Sequence, residues 1–186
     1  FFALLIASFS TVSFAQVDEV GEVDEVDEVE ETRIFAMESL IAAPPERALP
    51  IARKVIEGTG SVALKSRALF VLSQIDLPEA QETLLVAARN SGDPLQVEAI
   101  RMIGINGDPA AMSGLAEIYQ AGDEDVRDAV LHAYVIADDH EPVYEIAANT
   151  QSPEEFEAAV KILGVMGATE QLRALRNRDG MSEVLI

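Results

Sequence analysis

An alanine followed by a short apolar run returns at nearly constant spacing through most of this chain. Ala68-Leu-Phe-Val-Leu-Ser73, Ala99-Ile-Arg-Met-Ile-Gly104, Ala129-Val-Leu-His-Ala-Tyr134 and Ala159-Val-Lys-Ile-Leu-Gly164 align with leading alanines 31, 30 and 30 residues apart. Ala36-Met-Glu-Ser-Leu-Ile41 begins 32 residues before Ala68 and fits as a more degenerate first copy. A period this constant points to stacked units rather than one closed globule, because a single unit cannot bury its own apolar stripe.

Each unit reads as two helices. Apolar residues at helical spacing mark the first: Leu69, Leu72 and Ile75; Ile100, Ile103 and Ile105; Val130, Ala133 and Ile136; Val160, Leu163 and Met166. Turns follow at Asp76-Leu-Pro78, Asn106-Gly-Asp-Pro109, Asp138-Asp-His-Glu-Pro142 and Met166-Gly-Ala168. Proline opens a helix at little cost, since its missing N–H has no partner in the first turn anyway. The second helices are expected over about 80–90, 110–121, 141–149 and 169–177, with Leu84, Leu85 and Ala88, Leu115, Ile118 and Tyr119, Val143, Ile146 and Ala147, and Leu172 and Leu175 inward. Pro44-Pro45 breaks the earliest helix, and Glu46 to Glu57 completes the first unit. No segment reads as a strand.

The paired helices, with Ile103-Gly104-Ile105-Asn106-Gly107 and Leu163-Gly164-Val165-Met166-Gly167 closing first helices, resemble HEAT repeats. Asp123-Glu-Asp-Val126-Arg127 resembles that family's Asp…Val-Arg helix opening. The short period is similar to the bacterial HEAT-like type found in phycobilin lyases. Ser73 and Tyr134 depart from the pattern by standing where Gly104 and Gly164 stand in other units. The resemblance covers residues 33–186 and implies an all-α, right-handed α-solenoid of about five repeats, with second helices lining the concave face. Gly104, Gly164 and the leading alanines are expected to let helices approach closely, offsetting the cost of about 1 kcal/mol for glycine inside a helix.

Composition narrows the function. The chain of 186 residues has a formal charge of −20, 49% hydrophobic residues and no Cys, which supports a sizeable core and excludes disulfides, thiolate-ligated metals and thiol nucleophiles. So acidic a surface lacks the basic footprint of a nucleic-acid binder, and insertion of the mature domain into a membrane is not expected. Residues 1–15 carry no charge and end in Ser13-Phe14-Ala15, which reads as the remaining part of a secretory signal peptide. The alternative is the far end of a membrane anchor. Residues 17–31 are five triplets, VDE, VGE, VDE, VDE and VEE, and Val17 to Thr32 holds nine acids and no base. A valine every third residue matches neither the strand nor the helix period, so residues 16–32 are expected to be an extended, disordered acidic linker. The repeat domain, residues 33–186, is expected to be part of a longer array, truncated at its C-terminus.

No nucleophile, phosphate-binding or metallopeptidase motif is present, and no catalytic residue, cofactor or metal ligand is assigned. His132 reads as a boundary or packing residue, and Asp138-Asp139-His140-Glu141 as a solvated turn capping the next helix. The candidates for function are outward positions on second helices: Glu82, Val86 and Arg89; Ser113, Glu117 and Gln120; Glu145 and Asn149; Arg173, Arg176 and Asn177. Such a row makes an extended surface suited to a protein or peptide ligand, although each position also fits the soluble side of an amphipathic helix. Its charge is expected to run from acidic in the middle units to basic at Arg173, Arg176 and Arg178. The leading expectation is an exported, periplasmic or secreted, non-enzymatic scaffold that binds a protein along its concave face. Two alternatives remain: the scaffold part of a larger envelope enzyme or sensor, and a lyase or isomerase accessory similar to the phycobilin lyases.

Overall fold

The computed structural model describes residues 20–176, with side chains from residue 28 onward. Ten α-helices follow one another: α1 (Val20–Ser39), α2 (Pro45–Glu57), α3 (Val62–Ser73), α4 (Pro78–Arg89), α5 (Gln96–Asn106), α6 (Pro109–Ala121), α7 (Glu124–Ile136), α8 (His140–Asn149), α9 (Pro153–Val165) and α10 (Thr169–Arg176). A short 3-10 turn, Leu40–Ala42, joins α1 to α2. No strand occurs among the described residues. The helices form five pairs in two layers. Odd-numbered helices stack on one another, and each even-numbered helix packs against the first helix of the following pair.

Local chemistry sets the boundaries. Gly107 takes φ 71° and ends α5, the Asp108 carboxylate accepts from the amides of Ala110 and Ala111, and Pro109 starts α6. Asp123 caps α7 by accepting from Val126 N at 3.0 Å, Ser61 caps α3 through Leu64 N, and Ser152 caps α9 through Glu155 N. Each cap satisfies an amide that has no partner inside the helix.

One continuous core runs from Met37 to Leu175. Leu69, Leu72, Leu84, Ile100, Ile103, Leu115, Val130, Val143 and Leu163 are fully buried in it. Buried amides tie the loops to this core. Gln81 Nε2 donates to the Ile75 carbonyl at 3.1 Å, Gln96 Nε2 to the Ala88 carbonyl at 3.0 Å, and Asn106 Nδ2 to the Ser73 carbonyl of the preceding unit at 2.9 Å.

Several expectations are corrected. Residues 20–32 are not an extended linker but the first part of α1, which packs on α3. Glutamate is a good helix former, and local partners add to it: Thr32 Oγ1 donates to the Glu28 carbonyl at 2.8 Å, while Glu30 meets the Ser61 hydroxyl at the start of α3. Val29 is half exposed, and among the side chains described in α1 Ile34 and Met37 pack on the core. Residues 16–19 of the expected linker and the expected signal segment 1–15 lie outside the described residues. Ile105 and Ile136 are exposed rather than inward. Ile105 follows Ile103 by two residues and so falls on the other side of α5. The buried stripe of α7 is instead Val126, Val130, Ala133 and Tyr134.

The glycine expectation holds at Gly104. A Cβ added to Gly104 would fall 2.7 Å from Ala133 Cα in α7, so only glycine permits this approach. A Cβ on Gly164 would meet nothing within 4 Å, because no described helix lies on that side of α9.

Candidate functional site

The spacing between units follows the residues at the contact points. α5 and α7 pack closely, joined at Gly104. Thirty residues on, α7 carries Tyr134, and α7 and α9 barely touch. The even-numbered layer behaves the same way. Gly114 of α6 lies under the Leu85 side chain of α4, at 2.7 Å from an added Cβ, whereas the equivalent position in α8 is Tyr144 and α6 stands apart from α8. The contact positions thus carry glycine where two stacked helices close and tyrosine where they stand apart.

Clefts lie along the even-numbered helices. The first, about 500 Å³, lies between α2 and α4 and is lined by Arg53, Glu57, Lys65, Glu82, Val86 and Arg89 among others. The second, about 240 Å³, lies at the ends of α4 and α6 by Arg89 and Glu117. The third, about 490 Å³, lies between α6 and α8, and Gln120, Glu145 and Asn149 border it.

The ten predicted site residues that fall among those described are all exposed. Seven of them border these clefts: Glu82, Val86 and Arg89 the first, Arg89 and Glu117 the second, and Gln120, Glu145 and Asn149 the third. Val86, 62% exposed, is the apolar element of the row. Arg89 and Glu117 meet each other at 3.3 Å, so two of the predicted ligand groups share an exposed ion pair worth about 0–1 kcal/mol. Asn149 Nδ2 donates to the Glu145 carbonyl and to Glu145 Oε2, at 2.9 and 2.8 Å. Ser113 borders none of the three clefts, and its hydroxyl donates back to the Ala110 carbonyl. Arg173 and Arg176 lie on α10 beyond the clefts, and Asn177 and Arg178 fall outside the described residues.

Three important residues escaped the sequence reading. Arg53 is held in the first cleft by Thr83 Oγ1 at 3.2 Å and the Glu79 carbonyl at 2.9 Å, with Lys65 beside it and no acid paired to that lysine. The charge of the face is therefore not simply acidic giving way to basic at its far end, because Arg53, Lys65 and Arg89 cluster at its beginning. Extending the alignment by the 32-residue offset of the first unit takes Glu82, Val86 and Arg89 to Pro50, Lys54 and Glu57, so the period alone does not reach Arg53. The third residue is Tyr134. It is fully buried, it reaches from α7 to the third cleft, and its hydroxyl has no hydrogen-bond partner. Burial first, and then the Asp139 carboxylate, push its phenol up to about 12.

The Val-Arg opening of α7 bonds to residues that border this cleft. Val126 is buried. Arg127 donates to Glu155 Oε1 at 2.7 Å and to the Tyr119 carbonyl at 3.3 Å, and its guanidinium stands 5.8 Å from the Tyr119 ring centroid. Burial and Glu155 raise the Tyr119 phenol, against a smaller lowering by Arg127. The turn before α8 differs from expectation. Asp139 makes no side-chain cap, Asp138 takes a left-handed φ of 55°, and His140 Nε2 meets Asp138 Oδ1 at 3.3 Å. His132 is exposed, with Nδ1 2.8 Å from the Asp128 carbonyl.

Residues 52–135 match the family model of HEAT repeats. No curated protein matches the chain. No helix among the described residues is long and apolar enough to cross a membrane.

Proposed function

We propose, from the premise that residues 52–135 are HEAT repeats, that this chain is a non-enzymatic scaffold binding a protein partner along the face made by α2, α4, α6 and α8. The observation that carries this reading is the row of clefts between successive even-numbered helices, bordered by exposed side chains at repeat spacing. A flexible segment laid across such a row can place one side chain in each cleft. Many shallow contacts then sum to a useful affinity, since complementarity and a few anchors matter more than area alone. The apolar, uncharged residues 1–15 and the Ser13-Phe14-Ala15 site support export of the scaffold.

Photo-crosslinkers introduced singly at Val86 and Gln120, and at Val97 and Ile136 on odd-numbered helices, test the reading in envelope extract. A partner crosslinked from Val86 and Gln120, and lost in the Glu117→Lys/Glu145→Lys variant, supports the binding face. Crosslinks confined to Val97 and Ile136 overturn it.

A further inference from the structure

We infer that the cleft between α6 and α8 is an anchor pocket for an arginine side chain of the partner; the inference rests on the binding face just proposed. Two independent features point to it. The first is the buried Tyr134 hydroxyl, which has no partner within the fold. A buried hydroxyl left unpaired is costly, and a ligand donor at the cleft floor gives its oxygen a partner.

The second feature is the balance of charges and acceptors. Glu155 is already engaged, by Arg127 at 2.7 Å and by the Thr150 hydroxyl at 2.6 Å. Glu145 has no cationic partner, and Asn149 occupies only its Oε2. Asn149 donates through its nitrogen, which leaves its carbonyl oxygen unused. The cleft therefore offers free acceptors at Glu145, Asn149 and Tyr134, together with one uncompensated negative charge.

A guanidinium fits this set better than an ammonium, because its planar fork supplies several donors in fixed directions. Arg127 shows the same chemistry within the protein, bonded to a carboxylate and a carbonyl while lying against a tyrosine ring. The surroundings also favour a cation. The Asp139 carboxylate acts on the Tyr134 phenol.

The test is calorimetric titration of the full chain at low salt with acetyl-(Gly-Arg)4-amide, beside its lysine and glutamate counterparts. Because the chain carries −20, any cationic peptide is attracted to it, so variants carry the decision. Glu145→Gln and Tyr134→Phe are each expected to weaken the arginine peptide by about threefold to fivefold. Glu124→Gln, an exposed acid at the start of α7, is expected to change it little. Equal weakening by Glu124→Gln and Glu145→Gln reduces the attraction to bulk charge and overturns the pocket, as does a lysine peptide that binds as well as the arginine one.

The thermal midpoint of Tyr134→Phe is expected to equal or exceed that of the parent. A midpoint several degrees lower means that the hydroxyl is satisfied inside the fold, which also overturns the assignment. If the arginine peptide shows no cleft dependence while Val86 and Gln120 still crosslink a partner, the pocket fails and the binding face stands.

Discussion

Gly104 of α5 lies against the backbone of Ala133 in α7, so that a Cβ at 104 would fall 2.7 Å from Ala133 Cα and 2.9 Å from its carbonyl oxygen. Contacts to backbone cannot be relieved by a rotamer change. The third and fourth units are therefore pinched together in one layer, while Tyr144 accompanies the opening of the other layer into the α6–α8 cleft.

Gly104→Ala is expected to destabilise the protein by about 1–3 kcal/mol, because forced helix separation outweighs the gain in helix propensity. Gly164→Ala meets open space and is expected to be neutral or stabilising by up to about 1 kcal/mol. Urea denaturation of the two variants beside the parent measures the contrast.

Leu163→Asp places a charge at a fully buried position of α9. A loss of more than about 3 kcal/mol is expected, as for other uncompensated buried charges. Val165→Asp, two residues away and at a position 70% exposed, is expected to cost less than about 0.5 kcal/mol. Equal thermal midpoints for the two variants contradict the placement of α9.

Asp138 holds a φ of 55° where the neighbouring units have Gly107 and Gly167, at 71° and 69°. Asp138→Gly is expected to stabilise by about 0.5–1 kcal/mol by removing left-handed strain. The lost contact to His140 is exposed on the Asp138 side and offsets little of this. A rise in thermal midpoint checks it.

Tyr134 sets an alkaline limit. Its phenol, ordinarily near 10, is pushed up to about 12 in the fold by burial and by Asp139. The folded state thus holds this proton more tightly than the unfolded chain. Its contribution to stability is complete below pH 10 and is lost as pH rises through about 12. The phenolate absorbance of Tyr134 is expected to appear together with unfolding. Tyr134→Phe is expected to reduce the alkaline loss of stability.

Much of the fold was legible because helical repeats are local and redundant. The Asn106-Gly107-Asp108-Pro109 turn carries its own left-handed residue, cap and helix-opening proline, so its outcome needs no distant contact. The stripes through Leu69 and Leu72, Ile100 and Ile103, and Val130 and Ala133 recur often enough for the period to override doubtful positions such as Ile105 and Ile136. The acidic triplets misled because charge repulsion and an unfamiliar period were weighed without the contacts of α1 to α3, among them Glu30 with Ser61.

The candidate site was legible only in part. Outward positions on the second helices follow from the period, and the ten that are described are exposed. The way these positions are grouped did not follow from it. Arg89 and Glu117 neutralise each other, Ser113 borders none of the clefts, and the Tyr134 hydroxyl reaches a cleft from the opposite layer.

The sequence by itself determined the repeat, the bounds of the second helices and the two-layer order, because caps, turn residues and apolar periodicity act over a few residues or one turn. Tertiary structure alone decided where neighbouring units close and where they part. Gly104 and Gly164 look alike along the chain, yet only at Gly104 does a described residue, Ala133 of α7, crowd an added Cβ. That difference depends on which helix lies thirty residues away, and packing resolves it only once both helices are in place.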